Sequence, residues 1–159
     1  MALSLLACDR PGETLAAGQF VDEIIVIKSE RRLYLMEGEK VIRVYGVALG
    51  KSPIGQKLCE GDNKTPEGSY AIDWKSEKSK YHKALHISYP SRTDTAAARK
   101  RGCSPGGDIL IHGLPDRFGW LGGLHRLVDW TRGCIAVTNA EIEEIFKLVR
   151  VGTPIQINP

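Results

Sequence analysis

Two residue types that together make a nucleophile stand out: a cysteine behind a glycine, and a histidine at the end of an apolar run. Cys134 closes Asp129-Trp130-Thr131-Arg132-Gly133-Cys134. There the missing Cβ of Gly133 lets an acyl group approach the backbone and lets nearby amides face a developing oxyanion. A thiol is only a few per cent thiolate at neutral pH, so efficient attack calls for a base or a positive charge beside it. His112 is the natural base, because it follows Ile109-Leu110-Ile111 and precedes Gly113, a setting that brings the imidazole to a strand end facing a cleft. Taken alone, one cysteine and one histidine are more often a small core residue and a satisfied strand-end histidine. The decision rests with their surroundings.

Those surroundings are specific. His112-Gly113 followed about nineteen residues later by Thr131-Arg132-Gly133-Cys134 resembles the signature of the L,D-transpeptidase catalytic domain. Further matches fall in the same order: Lys28-Ser29-Glu30-Arg31-Arg32-Leu33-Tyr34-Leu35, Thr65-Pro66-Glu67-Gly68, Gly107-Asp108-Ile109-Leu110-Ile111 and Gly152-Thr153-Pro154. The resemblance runs from about Ile24 to the end. It implies that Cys134 is the nucleophile, His112 its general base, the Gly113 carbonyl the group that orients the imidazole, and the Gly133 and Cys134 amides the oxyanion donors. The implied reaction attacks the diamino-acid carbonyl of a donor tetrapeptide stem of peptidoglycan, expels D-alanine through a thioester, and passes the acyl group to an amine on another stem or on an envelope protein. Such chemistry uses no metal and no organic cofactor.

Two departures bear on substrate contacts. Many members carry His between Ser/Thr and Gly, and Arg two residues after the cysteine, where this chain has Arg132 and Ala136. Thr131 and Arg132 are therefore candidate substrate-binding residues. A guanidinium can grip a carboxylate bidentately, and a solvated loop arginine is the equal alternative. His125 is a further pocket candidate, set against an exposed loop histidine. Trp120 and Trp130 either wall the cleft or pack the core. His82, His86 and Tyr89 are weaker candidates, and Arg99-Lys100-Arg101 reads first as a solvated face. Hydrolysis through the same acyl-enzyme, as an L,D-carboxypeptidase or amidase, is the alternative activity. A peptidoglycan-binding module without turnover is the third reading, against which the intact Cys134 and His112 argue.

The elements that must position this pair read as a mainly β fold, a sandwich or barrel-like sheet with one clear helix toward the C-terminus. Ile24–Ile27, Leu33–Met36 and Val41–Leu49 form short strands in an antiparallel meander. Residues 50–65 read as a long surface loop of the length that often carries function. Gly68–Trp74 and Ala84–Ser88 resume the strand pattern, with Ile72 and Trp74, then Leu85 and Ile87, as same-face pairs. Asp94–Arg101 suits a turn or two of helix, while Ile109–Ile111 and Ile135–Val137 suit short buried strands. Thr138-Asn139-Ala140-Glu141 is a capping box. Ile142, Ile145, Phe146 and Val149 follow at helical spacing until about Arg150, and Ile155–Ile157 closes the fold as a strand.

Composition sets the outer bounds. The balance of 22 basic against 19 acidic side chains excludes the strongly basic surface expected of a nucleic-acid-binding protein. Residues 21–159 read as one catalytic domain, and residues 1–20 as a tether. Leu5-Leu6-Ala7-Cys8 resembles a lipobox, so the tether reads either as the remnant of a lipoprotein signal, with a lipid anchor at Cys8, or as an apolar N-terminus. The first of these implies the cell envelope, with the periplasm the compartment that suits the reaction. If Cys8 carries lipid and Cys134 is the nucleophile, Cys59 and Cys103 remain, to pair in an oxidising space or to stay as two free thiols. The sequence leaves both open.

Overall fold

A computed structural model describes residues 19–159, so the expectations for Cys8 and the tether before residue 19 lie outside the described residues. Eight strands carry the fold: β1 (Glu23–Ile27), β2 (Arg32–Glu37), β3 (Lys40–Gly46), β4 (Gly68–Ser79), β5 (His82–Ile87), β6 (Leu110–His112), β7 (Ile135–Ala136) and β8 (Pro154–Asn158). They form one sheet in the order β3-β2-β1-β8-β4-β5-β6-β7. The predicted meander is present, β1 to β2 and β2 to β3 both antiparallel. Two pairs are parallel, β1 with β8 and β6 with β7.

The sheet curls until its ends meet. Beyond β3 the chain runs on as Val47–Gly50 and reaches β7, where the Ala48 and Ala136 amides each donate to the other's carbonyl at 3.0 and 2.9 Å. One step along, the Thr131 amide donates to Leu49 and the Lys51 amide to Thr131, at 3.1 and 3.0 Å. The expected third strand through Leu49 thus ends at Gly46, and its continuation becomes the closing edge of a barrel-like sheet. Closure satisfies backbone groups that an open edge would leave unpaired.

Alternation decides what lies inside. Ile24, Val26, Leu33, Leu35, Ile72, Leu85, Ile87, Ile111, Ile135, Ile155 and Ile157 are buried in one cluster with Ile142 and Ile145 of the C-terminal helix. Each such side chain contributes about 1.5–3 kcal/mol on burial. That helix, α2 (Asn139–Leu148), begins at the predicted capping box: Thr138 Oγ1 accepts from the Glu141 amide and the Glu141 carboxylate accepts from the Thr138 amide. The first helix, α1 (Arg92–Lys100), is capped in the same way by Ser91 and Asp94.

Two local readings change. Ile72 and Trp74 do not share a face, because a bulge between them leaves Ile72 buried and Trp74 exposed, stacked 4.8 Å from His86. β4 runs on to Ser79, beyond the expected end at Trp74. Asp116–Leu127, for which the sequence offers no period, is a 3-10 segment broken at Gly122, where φ is 49°. The open question of Cys59 and Cys103 resolves to a disulfide with a Cα–Cα distance of 5.8 Å, tying the 50–65 loop to the segment after α1.

Candidate active site

The parallel pairing of β6 and β7 brings the two candidate catalytic residues together. Ile111 lies opposite Ile135 and His112 opposite Ala136. Cys134 therefore enters β7 beside Leu110, two positions before His112 on the neighbouring strand. The Val137 amide donates to the His112 carbonyl at 2.9 Å and locks this register.

His112 is 2% exposed, and its Nδ1 lies 2.6 Å from the Gly113 carbonyl oxygen. A carbonyl can only accept, so Nδ1 carries the proton and Nε2 presents its lone pair. Tyr81 stacks on the ring at 4.3 Å, and Trp130 meets it edge-on at 5.8 Å. Burial pushes the imidazole pKa down to about 4, against the opposing pull of the Gly113 hydrogen bond. At neutral pH the ring is an uncharged base.

Burial also pushes the Cys134 thiol up, partly offset by a hydrogen bond from the Leu110 amide and raised further by the charge of Asp108. Its Sγ donates to the Asp108 carbonyl at 3.4 Å. A buried imidazole and a half-buried thiol, each held in its neutral form, favour proton transfer during attack over a standing ion pair.

The backbone around Cys134 is fixed from both sides. Gly133 has φ 136°, and a Cβ on it would lie 2.7 Å from the Lys64 carbonyl and 3.1 Å from Ile109 Cδ1. The space that the sequence suggested for an approaching acyl group is thus filled by the 50–65 loop. Thr131 is 4% exposed, and its hydroxyl accepts from the Gly133 amide at 3.1 Å and donates to the Cys134 carbonyl at 2.7 Å. In this geometry Thr131 braces the loop rather than facing substrate, and the Gly133 amide is engaged, which leaves the Cys134 amide as the candidate oxyanion donor. Gly113 is equally constrained, since a Cβ there would meet Asn139 Oδ1 at 2.6 Å.

The other candidates divide. Arg132 is exposed beside Cys134. His125 is 6% exposed, not the exposed loop histidine of the alternative reading, and its Nδ1 accepts from Trp130 Nε1 at 3.3 Å. Of the two tryptophans read as walling the cleft or packing the core, Trp130 packs between His112 and His125, whereas Trp120 is 76% exposed on the 3-10 segment. His82 is engaged by Asp116 and Glu143, His86 by Asp73, and the Tyr89 hydroxyl by the Pro105 carbonyl.

Sequence reasoning missed the supports. Tyr81 sits in the turn between β4 and β5, where nothing in its neighbours marks it as a ring partner. Asp129 accepts from the Leu49 amide and from both Nε and Nη2 of Arg31, fixing the approach to Thr131. Lys28 is buried and donates to Gly55, Thr65 and Glu67, at 2.8, 2.9 and 2.9 Å, which anchors the loop behind Gly133. Both lie in or beside stretches that drew attention for other reasons.

The family model for the L,D-transpeptidase catalytic domain matches residues 22–157. The chain belongs to that family. Among L,D-transpeptidase relatives, it is 32% identical over 133 residues to YafK of Escherichia coli (strain K12), provisionally named an L,D-transpeptidase, a match covering 79% of this chain and 46% of YafK. YqjB of Bacillus subtilis (strain 168), provisionally named likewise, is 31% identical over 139 residues, covering 84% and 69%. The solved structure of Pgp2 from Campylobacter jejuni, described as a helical cell shape determining protein, superposes with a TM-score of 0.62 at 28% identity, covering 85% of this chain and 46% of Pgp2. An L,D-transpeptidase from Mycobacterium smegmatis shares the fold with a TM-score of 0.57 at 14% identity, covering 86% of this chain and 58% of that one. The chain thus spans about half the length of YafK and of Pgp2.

Proposed function

We propose that this domain is a cysteine acyltransferase acting on the peptide stems of peptidoglycan, with Cys134 as nucleophile and His112 as general base. The observation that carries the reading is the tautomer of His112. With Nδ1–H committed to the Gly113 carbonyl at 2.6 Å, Nε2 is the basic atom, on a ring held by Tyr81 and Trp130.

In the first half-reaction Cys134 Sγ attacks the diamino-acid carbonyl of the donor stem as its proton passes to His112 Nε2. The developing oxyanion takes the Cys134 amide. Collapse breaks the C–N bond, D-alanine leaves with the proton from Nε2, and a thioester remains. In the second half an amine, on another stem or on an envelope protein, attacks that thioester and restores the thiol. Arg132, exposed beside Cys134, is proposed to contact the donor stem. The setting is the cell envelope, in the periplasm, and the Cys59–Cys103 bridge supports an oxidising compartment.

The test is product analysis by mass spectrometry with disaccharide-tetrapeptide and cross-linked peptidoglycan fragments, using the protein and its Cys134→Ala variant. Dimers formed with loss of D-alanine by the protein alone are the expected result. Tripeptides or severed cross-links without dimers would mean that water takes the place of the amine at the same thioester. Turnover retained in Cys134→Ala would overturn the assignment of the nucleophile.

A further inference from the structure

A carboxylate stands beside the nucleophile with no work assigned to it. Asp108 accepts the Cys134 thiol proton on its backbone oxygen at 3.4 Å, so the residue sits against the reacting sulfur. Its own side chain is exposed and, among the described residues, takes part in no hydrogen bond or ion pair. Three other acidic side chains are committed: Asp129 to Arg31 and the Leu49 amide, Asp62 to Lys57 and three amides, Glu141 to Arg126 and the helix cap. Asp108 also holds φ at 53°, a left-handed conformation that a residue with a Cβ rarely adopts and that Asp and Asn tolerate best. The carboxylate lies close enough for its charge to act on the Cys134 thiol, and an unpartnered charge on a left-handed residue whose carbonyl meets the sulfur is a feature that packing alone does not explain.

The two half-reactions proposed above differ in the charge of what must approach. The acceptor of a transpeptidation is a primary amine, which arrives as an ammonium, whereas water is neutral. We propose that the Asp108 carboxylate is the acceptor subsite, binding the ammonium of an incoming primary amine beside the thioester and so favouring aminolysis over hydrolysis. This rests on the Cys134 acyl-enzyme reading and adds to it the residue that selects the second substrate. Held there, the ammonium loses one proton to solvent and the free amine attacks the thioester carbonyl. The C–N bond forms, the second proton passes through His112 Nε2 to the departing sulfur, and the C–S bond breaks to return the thiol. Asp108 gives up no proton and forms no bond in this scheme.

The test is a partition measurement, which reads the fate of one acyl-enzyme whatever its rate of formation. The full chain and its Asp108→Asn variant, which keeps the left-handed backbone, are acylated with a tetrapeptide-stem donor. The ratio of transfer to hydrolysis is then measured with Nα-acetyl-lysine, an ammonium at pH 8, and with hydroxylamine, neutral at that pH. Asp108→Gly, which also accepts a positive φ, is the second variant. Both variants are expected to lose about fivefold in transfer to Nα-acetyl-lysine relative to water and to keep the ratio for hydroxylamine, with the difference fading at high salt. An unchanged ratio for Nα-acetyl-lysine overturns the proposal. A parent protein that forms the thioester but transfers it to neither amine overturns it too, leaving the acyl-enzyme reading intact. If no Cys134-dependent thioester forms, that reading fails and the subsite with it.

Discussion

Replacing His112 with Asn should make the protein less sensitive to acid, although it removes the proposed base. Asn keeps an N–H where Nδ1 donates to the Gly113 carbonyl and removes the group that titrates. In the folded protein burial holds the imidazole at about 4, below its ordinary 6.5, whereas the unfolded chain binds its proton at the ordinary value. As pH falls through 6.5 the unfolded state gains a proton that the folded state refuses, so stability is lost until pH reaches the folded value and changes no further below it. The full span is about 3 kcal/mol at ~1.4 kcal/mol per pKa unit, of which about 2 kcal/mol falls between pH 7 and pH 4.5.

Urea unfolding at those two pH values measures it. With a slope of about 2 kcal/mol per M for a domain of this size, the midpoint of the parent protein should fall by roughly 1 M more than that of His112→Asn. His125 and Asp62 titrate in both proteins and cancel in the comparison. The same depressed value keeps Nε2 unprotonated in mild acid, so acylation of Cys134 by a carbapenem should hold its rate to about pH 5. Parallel midpoint shifts in the two proteins, or an acid limb near 6.5, would refute a buried neutral His112.

Two further outcomes follow from the loop that backs Cys134, the proposed nucleophile. Breaking the Cys59–Cys103 link, which spans 44 residues, by a Cys59→Ser/Cys103→Ser double substitution should cost up to about 4 kcal/mol of unfolding free energy; a thermal midpoint equal to that of the parent would show that the bridge constrains nothing. Gly133→Ala must move the Lys64 carbonyl and adopt a positive φ, so acyl-enzyme formation, followed by mass spectrometry, should slow by about tenfold or more. An unchanged rate would mean that the Gly133 conformation does not position Cys134.

What the sequence made legible was whatever depends on neighbours along the chain. Alternation in Ile24–Ile27 and Leu33–Met36 and the capping box at Thr138 lead directly to the observed elements, because strand burial and helix capping are local rules. Cys134 and His112 were found by motif, and the order of the matches carried the family. The rest depends on partners distant in sequence. Thr131 looked like a substrate contact until its hydroxyl was seen between the Gly133 amide and the Cys134 carbonyl. Trp74 broke its alternation because a bulge, which hydropathy does not register, turned it outward. The 3-10 segment is rich in glycine and has no period to detect. Tyr81 supports His112 only because β5 lies next to β6. Asp108 showed only as one letter in a motif; its free carboxylate is a property of what surrounds it.

The place of β8 bears on how such a chain is made. The last strand in chain order lies in the middle of the sheet, between β1 and β4. Without it, β1 and β4 would face each other as unpaired edges, and the pairing of Ile24 with Ile155 joins segments more than a hundred residues apart. A domain built this way cannot complete itself until its own last strand is available to pair. Until then the central position of the sheet, between β1 and β4, stays empty.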